Sequence, residues 1–200
     1  AMPREDAQNQ AIAQAWGALA GVDMPKRCRD LGLPACHEGC LQLRLFGSNA
    51  DLNLTDRTLC DTATGNPAKP ADMILLLHYL ACDLPFRRTE TLESYRAFPG
   101  GQFYYQPFKA RTTEPLVKRF ADDVGALRRN LDRFDWTPFD GGDLGAQIHA
   151  FGQLNIVLIY RTGEDEFPAS ADVLFDAALR HVVSTEDAAV LASRICIGLL

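Results

Sequence analysis

The stretch Leu144–Arg161, "LGAQIHAFGQLNIVLIYR", decides the architecture. Leu144, Ala146 and Ile148 alternate with Gly145, Gln147 and His149. Successive side chains of a strand point to opposite faces, so this half predicts a strand with one buried side. The run "LNIVLIY" is apolar almost throughout, as in a more deeply buried strand, and Gly152 supplies the tight turn between the two. Strands joined this closely pair antiparallel. His149 falls on the face opposite Ile148, where it borders any cleft on that side.

Working outward, "TPFDGGD" (Thr137–Asp143) reads as a loop. Ahead of it the spacing Val117, Phe120, Val124, Leu127, Leu131, Phe134 is a helical stripe with Pro115 in its first turn, and Asp122, Asp123 and Gly125 divide it into two short helices. Downstream, "ADVLFDAAL" (Ala171–Leu179) fits a strand or a helix. Ser184 with Asp187 then forms a capping-box start for a final helix carrying Ala188, Leu191, Ala192, Ile195 and Leu199.

In the N-terminal half, Ile12, Trp16 and Leu19 give Ala7–Leu19 a thin amphipathic face. A Gly- and Pro-punctuated connector leads to "LQLRLF" (Leu41–Phe46) and "ADLNLTD" (Ala50–Asp56), two alternating runs that predict a hairpin. Pro70 and Asp72 open a helix through about Cys82, apolar nearly all round and therefore buried. "AFPGGQFYYQPF" (Ala97–Phe108) has a Gly-Gly turn between aromatic flanks and predicts one or two short strands. Strands close in sequence, with helices that do not alternate regularly with them, point to an α+β fold. The expectation is a single compact domain over residues 1–200, a largely antiparallel sheet packed with helices, preceded by a helix and a Cys-containing connector in residues 1–40.

With 200 residues, 47% apolar and 23% charged, the chain is long enough for one sizeable core. A net charge of -6 gives no overall positive field to collect phosphates, so no nucleic acid partner is expected. No apolar run reaches membrane-spanning length, and the start lacks a secretory pattern, so the expectation is a soluble cytoplasmic chain without a membrane partner. Ala1-Met2 reads as a tag remnant before a natural Met. Six cysteines without an export signal imply reduced thiols or metal ligands rather than a disulfide framework.

The common catalytic and phosphate-cradling motifs are absent. Cys28, Cys36, His37 and Cys40 offer thiolates and an imidazole suited to zinc or an iron-sulfur cluster, but lack the paired Cys-x2-Cys spacing of either, and ordinary half-buried thiols are the favoured explanation. His78 and Cys82 lie one turn apart on the buried helix, as a shared ligand face or as core side chains. Lys109, Arg111, Lys118, Arg119, Arg128, Arg129 and Arg133 interleave with acids; the readings are a solvated face or a site for a small anionic ligand or an acidic partner, with "FYYQPF" available to stack on a planar group. Glu164, Asp165 and Glu166 follow the buried strand without the residue order of a calcium loop, and read as a site or as a solvated turn.

"LIYRTGEDEFPASADVLFDAALRHVVSTEDAAVLA", with "LLLHYL", "FPGGQF" and "GGD" upstream, resembles the prokaryotic family called domain of unknown function 3786, from roughly Leu41 to Leu200. The resemblance implies a setting in anaerobes beside iron-sulfur or corrinoid one-carbon and redox proteins, with such a protein as the partner. It carries over His78, Gly100, Gly101, Asp143, Glu164, Asp165, Glu166, Phe167, Pro168, Asp176, Glu186 and Asp187 as candidate positions, of which His78, Asp143, Glu164, Asp165, Glu166 and Asp176 form the candidate ligand or partner site. The expected role is a non-catalytic accessory or binding module. The alternative is an enzyme using the acidic loop and a buried His78 for acid-base or metal-assisted chemistry. For cofactors, zinc or an iron-sulfur or corrinoid-related ligand stands open, and nothing in the sequence requires one.

Overall fold

The computed structural model describes residues 4–200, so the expectation for Ala1 and Met2 lies outside the described residues. The chain divides into two units. The first runs to Phe86 and takes in Phe151–Gln153; the second holds Arg87–Ala150 and Leu154–Leu200.

The first unit begins with helix α1 (Arg4–Gly17), which buries only Ala15 and Trp16. The connector contains a helix that the sequence reading lacks, α2 (Met24–Asp30), started by Asp23 accepting the Lys26 N–H and by Pro25 in the first turn. Strands β1 (Cys40–Leu45) and β2 (Ser48–Asn53) form the expected hairpin, with Leu41, Leu43 and Leu45 inward and Gln42 and Arg44 outward. A short third strand, β3 (Thr58–Asp61), adds to β2. Helix α3 (Pro70–Ala81) buries Leu75, Leu76, Leu77, Tyr79 and Leu80, each large apolar side chain contributing about 1.5–3 kcal/mol. The Tyr79 hydroxyl donates to the Leu31 carbonyl at 2.7 Å, and burial pushes its pKa up to about 12.

The second unit opens with β4 (Leu92–Ser94) and a single 3-10 turn (Tyr95–Ala97). The strands expected across Ala97–Phe108 are not formed. The segment runs through a turn at Gly100 (φ 71°) into helix α4 (Tyr105–Arg111). The helix is favoured because it stacks Phe108 on Tyr95, ring centroids 4.1 Å apart and 4° from parallel, with Pro107 harmless in the first turn. The long amphipathic stripe divides as expected into α5 (Thr113–Phe120) and α6 (Val124–Leu131).

Next come β5 (Trp136–Pro138), β6 (Leu144–Phe151), β7 (Leu154–Arg161) and β8 (Ser170–Asp176), then a second 3-10 turn (Ala177–His181) and helix α7 (Thr185–Gly198). The strands order β4-β8-β7-β6-β5. The fold is α+β, with antiparallel sheets of three and five strands rather than one sheet. "ADVLFD" is a strand, Val173 and Phe175 facing inward. Helices α4 and α5 pack on α7, and α5 on β8. No helix among the described residues is long and apolar enough to cross a membrane.

Candidate functional site

The acidic stretch after β7 is a two-residue reversal. Glu164 and Phe167 exchange backbone hydrogen bonds at 2.8 and 3.0 Å, which puts Asp165 and Glu166 at its tip. Glu164, Asp165, Glu166, Phe167 and Pro168 are all exposed and, with Asp122, line a wide open groove of about 700 Å3. The base is fastened by Asp122, whose carboxylate accepts the Gly163 N–H at 2.7 Å.

The other carboxylates expected at a site serve as backbone fasteners. Asp143 accepts from the Thr162 N–H and hydroxyl at 2.7 and 3.0 Å, and these bonds hold its carboxyl below the usual range. They fix the Gly-rich turn beside β7, where a side chain at Gly142 would overlap the Tyr160 carbonyl oxygen. Asp176 accepts from the Thr89 N–H and hydroxyl, the Glu90 N–H and the Ala178 N–H, all within 3.1 Å. Burial alone would raise its pKa; the four donors outweigh burial and lower it.

The expectation of a buried His78 is corrected: its side chain is exposed. Residues 71, 74, 78 and 81, spaced three-four-three, form the outer face of α3, and an almost wholly apolar sequence concealed which face that would be. In the cysteine region the thiols are neighbours. Burial first, then the charge of Cys36, raises the Cys28 pKa, and burial followed by Cys40 raises that of Cys36. His37 pairs with Cys40 through backbone bonds at 2.8 and 2.9 Å. No group of three or more His, Cys, Asp or Glu among the described residues is placed to hold a metal ion. His149 is half-buried and lines an open groove with Trp136 and Gln147, on the side its register predicts.

The feature that the sequence reading missed lies where α4 meets the start of α7. A recess of about 400 Å3 opens there, with apolar walls from Pro99, Tyr104, Pro107 and Ala189. Two of the motif-bearing stretches build it together. The turn in "FPGGQF" contributes Pro99, the "STED" cap contributes Thr185 and Glu186, and the Thr185 hydroxyl donates to the Pro99 carbonyl at 2.9 Å. Ser184 caps α7 by accepting the Asp187 N–H at 3.1 Å.

The floor of the recess is Tyr95, 3% exposed and held flat against Phe108. Its hydroxyl makes no hydrogen bond with any described residue, yet is not sealed from solvent, so it opens into the recess. Burial, followed by the negative charge of Glu186, raises its pKa, while Arg111 works the other way. The neutral hydroxyl is therefore a donor at neutral pH. On the rim, Arg111 and Glu186 pair at 3.4 Å with side chains 44% and 71% exposed, an arrangement worth less than about 1 kcal/mol and easily exchanged. The arrangement offers one donor, one cation, one anion and an apolar wall; no nucleophile stands beside a base. Arg111 was legible only as one of several basic residues, and Tyr95 carried no local signal at all.

No curated protein and no solved structure matches the chain. A family model does match, over residues 23–197, which begins before Leu41 and takes in the cysteine-bearing segment that the sequence resemblance left outside. The chain belongs to that family, described as a domain of unknown function (DUF3786).

Proposed function

We propose that this family member is a non-catalytic accessory module that binds a small ligand in the recess between the Pro99–Gly101 turn and the start of α7. The observation that carries the reading is Tyr95, a nearly fully buried side chain whose hydroxyl has no protein partner and faces a cavity. The hydroxyl reaches solvent through the recess and is free to donate there, so a ligand acceptor takes the place of water. A cavity of about 400 Å3 falls in the range of small-molecule sites, apolar with a few convergent polar groups.

The enzyme reading has less support: the carboxylates of the acidic loop are exposed on a wide open groove with no base or nucleophile paired to them by a hydrogen bond among the described residues, and Asp143 and Asp176 have their acceptor capacity engaged by backbone and threonine donors. Service to iron-sulfur or corrinoid one-carbon and redox proteins is part of the proposal and rests on the sequence resemblance. Thermal-shift screening of a small-molecule library against wild type, Tyr104→Ala and Arg111→Gln tests the binding role. Compounds that raise the melting temperature of wild type but not of the variants support it; a library that stabilises all three proteins equally, or none, counts against it.

A further inference from the structure

The charges on the recess rim select among ligand classes; this inference rests on the recess being the binding site. A lone anion drawn to Arg111 meets the Glu186 carboxylate, and a lone cation drawn to Glu186 meets the Arg111 guanidinium, because the two stand 3.4 Å apart. A neutral ligand leaves that exposed pair unused. A zwitterion exchanges one weak pair for two. Its carboxylate takes Arg111, a planar fork suited to carboxylate geometry, and the Tyr95 hydroxyl supplies a further donor.

The start of α7 reinforces that end of the site. Ser184 caps the Asp187 N–H, while the Thr185 and Glu186 N–H groups make no hydrogen bond with any described residue and sit at the positive end of a 14-residue helix. The remaining walls, Pro99, Tyr104 and Pro107, are largely apolar.

We propose that the recess binds a free α-amino acid with an apolar side chain, its carboxylate on Arg111 and Tyr95, its ammonium on Glu186, and its side chain against Tyr104 and Pro107. About 400 Å3 is ample for leucine- to phenylalanine-sized ligands. No bond is made or broken.

The test is isothermal titration calorimetry of the full chain with L-leucine and L-phenylalanine, and with their N-acetyl and amide derivatives. Saturable binding is expected for the free amino acids, at least tenfold weaker when either charged group is blocked. Arg111→Gln and Glu186→Gln, both exposed, should keep the melting temperature and lose tenfold or more in affinity. Tyr95→Phe, which keeps the stacked ring, should lose severalfold. Equal binding of free and blocked forms, or no binding of either amino acid, overturns the inference. If neither amino acid binds while another compound's stabilisation depends on Tyr104, the amino-acid assignment falls and the binding role stands. If nothing seats in the recess, both fall.

Discussion

The Thr185 hydroxyl donates to the Pro99 carbonyl oxygen at 2.9 Å, across 86 residues of sequence. That bond ties the first turn of α7 to the turn between Tyr95 and α4. The recess exists because these two local structures are held together over a rigid aromatic floor.

Gly101 tests how closely that turn must be built. A β-carbon there would overlap the Tyr95 carbonyl oxygen and stand 3.0 Å from that of Phe98. Both obstacles are backbone, which moves only at a cost. Gly101→Ala is expected to destabilise the protein by about 3 kcal/mol, near the upper end for overpacking, in chemical denaturation. Gly100, with φ 71° and only the Tyr104 ring near its hypothetical β-carbon, should cost less on substitution by alanine, about 1–2 kcal/mol.

Asp176 gathers four donors: the Thr89, Glu90 and Ala178 N–H groups and the Thr89 hydroxyl. Asp176→Ala removes the acceptor of the exposed Thr89 and Glu90 donors and of the half-buried Ala178 N–H and is expected to lower stability by about 1–2 kcal/mol, seen as a lower denaturation midpoint. The pH dependence has a definite sign. The folded pKa lies below the ordinary 3.8, so the stabilisation is complete above about pH 5 and is lost as pH falls through 3.8 and then the lower folded value. The wild-type protein should lose stability over that acid range more steeply than Asp176→Ala.

Neutralising the hairpin tip separates charge from fold. Glu164→Gln, Asp165→Asn and Glu166→Gln together remove three adjacent exposed charges that fasten nothing in the described structure. Stability should stay within about 0.5 kcal/mol of wild type or rise slightly as repulsion is relieved. Ligand binding at the recess should be unchanged. A large loss of either would return the acidic loop to the centre of the account.

The cysteines yield a spectroscopic expectation. Burial and mutual proximity raise the pKa of Cys28 and Cys36, and burial pushes that of Cys196 to about 12, so these thiols are protonated at neutral pH. Alkylation with iodoacetamide at pH 7 should be slow at all three. Cys36→Ser with Cys40→Ser should leave the melting temperature and metal content of anoxically purified protein unchanged. Stoichiometric zinc or iron lost in that double variant would establish a metal site instead.

Much of this architecture was legible because the signals were local and strong. The alternation of Leu41, Leu43 and Leu45, the Gly152 turn, the break at Asp123–Gly125 and the Ser184 cap each act within a few residues. Strands β3, β4 and β5 were not, since segments of three or four residues are too short to show a period and owe their conformation to the strand beside them. The aromatic run before α4 misled for the same reason: β-propensity was overridden once Tyr95, Phe98 and Phe108 stacked. The site was least legible. Asp143 and Asp176 hold backbone donors and Glu164–Glu166 stand exposed, while Tyr95 and Arg111 acquire meaning only when the turn of "FPGGQF" and the cap of "STED" meet in space.

The most direct test of the central claim is protein-observed amide NMR during titration with a mixture of small carboxylates, amines and amino acids. Binding at the recess should shift amides of Tyr95, Tyr104, Arg111, Thr185 and Glu186 in a saturable way, and Tyr104→Ala should abolish the effect. Saturable shifts centred on Glu164–Phe167, or none anywhere, would contradict it.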